Sequence, residues 1–255
     1  MSEIDLSRAG SFGALAERYD RWRPGYPAAA VDWLLPPGAH EVADLGAGTG
    51  KLTGDLLARG LVVDAIEPDP AMLEVLRERH PLARAHQARS IALPLAAASV
   101  DAVLVAQAWH WMPPSETTVE VRRVLRPGGW LGLVWNVPVP REQWEIRLHD
   151  LDQATWVREN ATTGAARLPF PQHEVESAEF AWTWAVTADA WLENIATHSA
   201  VSTLDEADRL ELLAEKRAII AGHLEEVGQP EAQVHHQAVC MRWRPAPDSA
   251  PSPAA

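Results

Sequence analysis

The sequence predicts an α/β protein built on a doubly wound, mostly parallel sheet. From Val42 onward, short apolar runs alternate with stretches of helical periodicity, which is the pattern of successive βαβ units. Residues 100–107 are nearly all apolar after Asp101, as expected of a strand that is buried on both faces. A glycine-rich turn follows the first apolar run and opens a helix. These three features favour a parallel sheet with helices on both faces.

The first strands and helices are predicted close to the glycine-rich turn. Residues 42–45 form the first strand, and residues 51–59 place leucines on one face of a helix. Residues 61–67 form the second strand. Asp69 then begins a helix, because its side chain can accept hydrogen bonds from the first N–H groups and Pro70 lies where no N–H is needed.

The middle of the chain continues the same alternation. Residues 84–88 predict the third strand and residues 100–107 the fourth, which we expect at the centre of the sheet. A helix follows over residues 115–125 and ends at the turn 126–129, whose sequence is Arg-Pro-Gly-Gly. Residues 130–135 supply the fifth strand.

Two further strands and two helices are predicted in the last third of the chain. Apolar residues recur at helical spacing over 142–160, and residues 174–186 follow as a sixth strand. Thr203 and Glu206 form a capping box ahead of a long amphipathic helix. Residues 233–243 alternate loosely and predict the last strand.

Composition restricts the function and the compartment. The net charge of −13 would repel a phosphate backbone, so nucleic-acid substrates are disfavoured. The single cysteine, Cys240, excludes an intrachain disulfide, and no Cys/His cluster at ligand spacing predicts zinc or another metal. No segment has the apolar length of a signal peptide or a membrane span. We therefore expect a soluble cytoplasmic protein with no membrane partner.

The most informative motif joins a buried strand to a glycine turn. Asp44 precedes Gly46, Gly48 and Gly50, a G-x-G-x-G spacing that differs from the G-x-G-x-x-G of dinucleotide sites. Glycines let the backbone approach a ligand closely, and a carboxylate beside them suits a cationic ligand better than a pyrophosphate. Glu67 ends the second strand, where an acid can accept hydrogen bonds from both ribose hydroxyls. The motif thus predicts a site for a nucleoside with a positively charged end.

Through these residues the sequence resembles the class I S-adenosylmethionine methyltransferases, and within them the type 11 group of small-molecule enzymes. The resemblance covers most of residues 12–136. The segments that carry it are Phe12-Gly13, residues 19–27 (YDRWRPGYP), residues 44–50 (DLGAGTG), Glu67-Pro68-Asp69, Leu93-Pro94-Leu95, Ser99-Val100-Asp101, residues 107–111 (QAWHW) and residues 125–129 (LRPGG). It implies a Rossmann-like sheet of six parallel strands plus one antiparallel edge strand.

The resemblance also implies a set of cofactor-binding residues. Asp44 and the glycine turn would hold the methionine part of S-adenosylmethionine, Glu67 the ribose, and Arg89 with Ser90 the adenine. Gln107 would lie beside the sulfonium, and the segment around Tyr19 would cover or pair with the methionine carboxylate. The whole set is Tyr19, Arg23, Asp44, Gly46, Ala47, Gly48, Gly50, Glu67, Pro68, Arg89, Ser90 and Gln107.

One methyltransferase domain is expected over residues 1–244. Within it, residues 12–136 form the cofactor-binding core, and residues 137–244 supply crossover helices, the last strands and the elements that receive the methyl acceptor. The Pro-, Ala- and Ser-rich residues 245–255 are expected to be a flexible tail.

His110 is the candidate catalytic residue. It follows the fourth strand, near the expected methyl group, and an imidazole titrates near neutral pH. Because it lies between Trp109 and Trp111, a packed or pocket-wall histidine is the alternative that we weigh above a general base.

Three functions remain open at this point. The first is transfer of a methyl group to an oxygen, nitrogen or carbon nucleophile of a small molecule, by a monomer or homodimer. The second is an NAD(P)-binding oxidoreductase, which the loop spacing and Asp44 disfavour. The third is a protein that binds adenosylmethionine without methylating, because a cofactor site does not prove turnover.

Overall fold

The computed structural model describes residues 22–150, 168–169, 172–196, 198, 201 and 203–245. The described strands are β1 (Glu41–Leu45), β2 (Val62–Glu67), β3 (Arg84–Gln87), β4 (Val100–Ala106), β5 (Leu125–Pro138), β6 (Val175–Val186) and β7 (Ala232–Trp243). The described α-helices are α1 (Ala28–Leu34), α2 (Lys51–Leu57), α3 (Pro70–Arg79), α4 (Pro114–Val124), α5 (Gln143–Asp150), α6 (Ala188–Ala196) and α7 (Glu206–Val227). Short 3-10 helices span Trp109–Trp111 and Gln172–Glu174.

The strands form one seven-stranded sheet in the order β3-β2-β1-β4-β5-β7-β6. The first five strands of this order pair in parallel, and β7 pairs antiparallel with both β5 and β6. The predicted fold class, a doubly wound and mostly parallel α/β sheet, is confirmed.

The antiparallel strand β7 lies one position inside the edge that the resemblance implied for it. It pairs with β6 along twelve residues, from Val175↔Trp243 to Val186↔Ala232, and with β5 along eight, from Leu131↔Trp243 to Pro138↔His236. The inner position gives β7 hydrogen-bond partners for its backbone on both sides. The edge strand β6 instead alternates exposed and half-buried residues over most of its length, as a one-sided strand does.

Apolar residues of the described chain pack in three clusters. One cluster lies between the sheet and α4, and a second lies between the sheet and the pair α1 and α2. The third cluster is built from α5, α6 and α7 with the adjoining ends of β6 and β7. Its buried members are Trp144, Leu148, Val186, Trp191, Leu192, Ile195, Val201, Ile220, Ala232 and Val234.

Several local predictions are confirmed, and one is wrong. Asp69 caps α3, because its Oδ1 accepts from the backbone N–H of Ala71 at 2.8 Å and of Met72 at 3.1 Å. The predicted capping box of Thr203 with Glu206 is wrong, since Asp205 caps α7 by accepting from the backbone N–H of Asp208 at 2.9 Å. Asp205 directly precedes α7, so its carboxylate reaches this N–H. Thr203 lies two residues further from the start of the helix.

Other elements extend or add to the predicted ones. The fifth strand is longer than predicted, because β5 includes the turn residues 126–129 and runs on to Pro138. The predicted helix over 142–160 is described as α5 up to Asp150, and residues 151–160 and 246–255 lie outside the described residues. Helices α1 and α6 were not predicted. Among the described residues, no helix combines the length and apolarity needed to cross a bilayer.

Candidate functional site

The glycine turn lies at the carboxyl end of β1, at the centre of the sheet. Gly46, Gly48 and Gly50 have φ angles of +72°, +57° and +94°, which side chains rarely adopt. The backbone N–H of Gly46 donates to the carbonyl of Ile66 on β2 at 2.8 Å. A Cβ on Gly46 would come within 2.7 Å of the Cβ of Ala108. The sequence therefore places glycine where the turn is both left-handed and tightly packed.

Asp44 lies in β1, two residues before Gly46, and is completely buried. Its Oδ2 accepts a hydrogen bond from the Oγ1 of Thr53 at 2.6 Å, whereas its Oδ1 has no hydrogen-bond partner among the described residues. Burial raises the pKa of Asp44 to about 7, against the opposing hydrogen bond from Thr53. A cationic ligand at Oδ1 would both supply the missing partner and stabilise the ionised carboxylate.

Two more carboxylates lie near Asp44. Glu67 and Asp55 both raise its pKa by charge repulsion, and burial raises the pKa of each of them as well. The Oδ2 of Asp55 is buried without a hydrogen-bond partner among the described residues. The site therefore carries an excess of acceptor atoms and negative charge, which is complementary to a cation.

Glu67 is held rigidly at the carboxyl end of β2. Its Oε2 accepts from the backbone N–H of Gly48 and its Oε1 from the backbone N–H of Asp69, both at 2.9 Å. Each carboxylate oxygen has a second lone pair, so each can also accept a hydrogen bond from a hydroxyl group. Glu67 thus joins the glycine turn to the start of α3, and Pro68 beside it is exposed.

The two residues predicted at the adenine lie differently after β3. Arg89 is exposed, whereas Ser90 is buried and its Oγ lies 2.8 Å from the Oγ1 of Thr117 on α4. The hydroxyl of Ser90 therefore has a partner within the protein. Adenine contacts by either residue stay a prediction.

Gln107 directly follows β4 and links the site to a polar residue that sequence analysis missed. The φ of Gln107 is +58°, a backbone conformation uncommon for a side chain, and its Nε2 donates to the carbonyl of Asn136 at 3.4 Å. Asn136 lies near the end of β5, 8% exposed, and its Nδ2 donates to the carbonyl of Gly25 at 2.9 Å. The sequence contains a signal for Asn136, because it is a polar residue directly after the apolar run 130–135.

The cover segment, residues 22–27, is hydrogen-bonded to β5 and to α6. Besides Gly25, the carbonyl of Trp22 accepts a hydrogen bond from the Nδ2 of Asn194 on α6 at 3.1 Å. The Oδ1 of Asn194 lies 3.2 Å from the Nε2 of His198. Burial lowers the pKa of His198, and the charge of Arg23 in the cover segment lowers it further. Tyr19 lies outside the described residues.

The comparisons with known proteins decide the family. A family model described as "Methyltransferase domain" matches residues 43–133. An uncharacterised methyltransferase of Mycobacterium tuberculosis is 42% identical over 234 residues, which is 91% of this chain and 94% of the relative. The chain belongs to the S-adenosylmethionine-dependent methyltransferases.

Two further proteins are similar to this methyltransferase. A malonyl-[acyl-carrier protein] O-methyltransferase of Methylococcus capsulatus is 37% identical over 137 residues, 48% of each chain. A solved structure assigned as a type II methyltransferase from Anaeromyxobacter dehalogenans is 28% identical, covers 86% of this chain and 96% of its own, and superposes with a TM-score of 0.67. The family favours methyl transfer over the NAD(P)-dependent oxidoreductase weighed as an alternative.

His110 lies in the methyltransferase's 3-10 helix just after β4. It is half-buried, and its ring lies against that of Trp111, with centroids 4.7 Å apart at an angle of 50°. The structure brings it to the same end of the sheet as Gln107 and the glycine turn. A general-base role for His110 stays a prediction. No group of three or more His, Cys, Asp or Glu residues in the described part of the chain is arranged to hold a metal ion.

Proposed function

We propose that this methyltransferase moves a methyl group from S-adenosylmethionine to an oxygen, nitrogen or carbon nucleophile of a small molecule. The observation that carries the proposal is the pairing of two buried carboxylates around one glycine turn. Asp44 offers an unfilled acceptor oxygen among the described residues, and Glu67 offers two fixed oxygens on the other side of the turn. A nucleoside with a cationic amino-acid end needs both.

The residues present fit this cofactor. The buried Oδ1 of Asp44 would accept from its amino group, and Glu67 would accept from the two ribose hydroxyls. The left-handed turn lets the backbone of Gly46 and Gly48 approach the ligand without side chains in the way. We propose the full set implied by the sequence as the cofactor-binding residues: Tyr19, Arg23, Asp44, Gly46, Ala47, Gly48, Gly50, Glu67, Pro68, Arg89, Ser90 and Gln107.

The protein's contribution to the reaction is alignment and exclusion of water. S-adenosylmethionine supplies a methyl group activated by attachment to a sulfonium. The cover segment, fastened through Asn136 and Asn194, would shield the reacting atoms and hold the acceptor in line. Holding two reactants in such geometry can contribute about 7 to 11 kcal/mol to the rate. If the acceptor carries a proton, His110 would serve as its base.

A small-molecule acceptor is supported by charge and architecture. The net charge of −13 disfavours nucleic acid, and α5 to α7 with their own apolar cluster supply a compact unit beside the carboxyl end of the sheet. The O-methyltransferase name of the Methylococcus relative supports oxygen as one candidate nucleophile. We propose a monomer or homodimer in the cytoplasm, a compartment that suits the single, buried Cys240.

The experiment is a binding comparison by calorimetry. We expect S-adenosylmethionine and S-adenosylhomocysteine to bind the purified protein and NADH not to bind. Glu67→Ala should weaken S-adenosylhomocysteine by about 100-fold, since it removes two hydrogen bonds to a charged group worth about 1.5 kcal/mol or more each.

The matched control is Glu74→Ala, which removes an exposed carboxylate from α3 and should leave affinity unchanged. Because Glu67 also fastens the glycine turn, thermal unfolding of each variant is recorded to show that the fold survives. Binding of NADH alone, or unaltered affinity in a folded Glu67→Ala variant, would overturn the proposal.

A further inference from the structure

Helix α2 contains a glycine that its own backbone does not require. Gly54 lies in the middle of α2 with helical geometry and lacks the positive φ that favours glycine at Gly50. Glycine inside a helix is less stable than alanine, because it loses more conformational freedom on folding. The reason for a glycine at this position therefore lies outside α2.

The imidazole ring of His80 fills the space beside Gly54. A Cβ on Gly54 would lie 2.7 Å from the Cε1 of His80, and a Cβ on Gly50 would lie 2.5 Å from the Cδ2 of the same ring. The two glycines are one helical turn apart, and the backbone N–H of Gly54 donates to the carbonyl of Gly50 at 2.9 Å. Gly50 and Gly54 together form a slot for one flat ring, which we call the glycine slot.

His80 is the last of three side chains by which α3 contacts the glycine turn. Met72, Leu76 and His80 are spaced by four residues, so they lie on one face of α3 and of its C-cap. The Sδ of Met72 lies 3.8 Å from the position of a Cβ on Gly48, and the Cγ of Leu76 lies 3.1 Å from that of a Cβ on Gly50. One face of α3 thus supports the turn along its length and ends in the glycine slot.

The beginning and the middle of the turn are held differently, by hydrogen bonds to β2. The backbone N–H of Gly46 donates to the carbonyl of Ile66 at 2.8 Å, and that of Gly48 donates to the Oε2 of Glu67 at 2.9 Å. At Gly50 the turn passes into α2, and there the contacts described above come from α3 side chains. The ring in the glycine slot therefore contacts the point where the turn becomes a helix.

We propose that His80 is a positioning residue for the cofactor, which acts through Gly50 and Gly54. Its ring fixes the first turn of α2 against α3 and so holds the glycine turn in the conformation that receives the cofactor. A turn that is already held in its binding conformation loses less conformational entropy when the ligand binds. The proposal rests on the proposed methyltransferase function and adds a residue to it that the sequence did not indicate.

The test combines two substitutions that each remove the ring from the slot. His80→Ala deletes the ring, and Gly54→Ala displaces it, because the new Cβ would meet the Cε1 of His80. Each variant should weaken S-adenosylhomocysteine about tenfold in calorimetry, although alanine at 54 favours the helix. The double variant should bind no more weakly than either single variant, because the ring can be lost only once.

Two further variants act as controls, and a third keeps the ring shape. Gly222→Ala adds a Cβ to α7 that meets nothing within 4 Å, and His173→Ala removes an exposed imidazole. Neither should change the affinity. His80→Phe keeps a flat ring and should bind S-adenosylhomocysteine within about threefold of the native protein. A loss in His80→Phe as large as that in His80→Ala would overturn the proposal.

Urea denaturation of every variant separates positioning from stability alone. If His80 only stabilises the fold, the urea midpoint of His80→Ala falls while the affinity of the folded protein stays native, and the proposal is wrong. Additive losses of affinity in the double variant, about 100-fold in total, would also overturn it, because the two residues would then act independently. Failure of S-adenosylhomocysteine to bind the native protein would overturn the proposed function and this proposal together.

Discussion

Replacing the buried Asp44 with asparagine should make the ligand-free protein's stability depend less on pH. Burial raises the pKa of Asp44 from 3.8 to about 7, so the folded state retains a proton that the unfolded state releases above pH 4. Stability from this group is therefore present at low pH and is lost as the pH rises towards 7. In Asp44→Asn the amide does not titrate, and this loss disappears.

The magnitude follows from the two pKa values. Between pH 5 and pH 8 the native protein should lose stability equivalent to about two pH units of linked proton binding, or about 3 kcal/mol. The free energy of unfolding of Asp44→Asn, measured relative to the native protein, should rise by this amount over the same range. Asp55 and Glu67 titrate in both proteins, so their contributions largely cancel.

Urea denaturation of both proteins at pH 5, 6, 7 and 8 measures this difference. The substitution also changes the free energy of unfolding by an amount that does not depend on pH, because the amide lacks the native hydrogen bond. This amount does not affect the test, since only the change of the difference with pH is compared. A difference that stays constant across the four pH values would refute the assignment of a proton to Asp44. A second readout is S-adenosylhomocysteine affinity at pH 8, which should fall in the variant because the ligand's ammonium loses its buried counter-charge.

Three further substitutions test the packing around the site. Gly46→Ala should cost about 1 to 3 kcal/mol in urea denaturation, because the new Cβ meets Ala108 at 2.7 Å in a left-handed turn; an unchanged midpoint would contradict it. Lys216→Ala should cost about 2 to 4 kcal/mol, because the side chain is completely buried and its Nζ donates to the carbonyl of Leu148 at 2.7 Å; calorimetric unfolding checks this. Asn194→Ala should speed hydrogen exchange in the cover segment, because it removes the hydrogen bond from Asn194 to the carbonyl of Trp22, and protection equal to the native protein's would argue against this anchoring.

The first five strands could be predicted because each is specified by residues close in sequence. The apolar run before Gly46, the stop near Gly60 and the Asp69-Pro70 start are local signals, and the structure confirms all three. The short helix α1 was missed, since its seven residues begin after a proline without a side-chain cap. The inner position of β7 depends on pairing with residues about 100 positions away, which no local pattern encodes.

In the candidate site, too, local signals could be predicted and contacts between distant residues could not. Asp44, the glycine turn and Glu67 fall within a short stretch, so spacing alone predicted their chemistry. Asn194 could not be found in this way, because its partner Trp22 lies 172 positions earlier. The raised pKa of Asp44 was also beyond sequence analysis, since it depends on complete burial within the folded protein.

The separation of the three apolar clusters has a practical consequence for altering specificity. In the described part of the chain, the third cluster shares no buried member with the two that flank the sheet. Its side chains can be varied in a combinatorial library while the two clusters that support the proposed cofactor site stay unchanged. Directed evolution towards a new acceptor should begin on α5, α6 and α7, and variants selected there should retain donor affinity even when they no longer recognise the native acceptor.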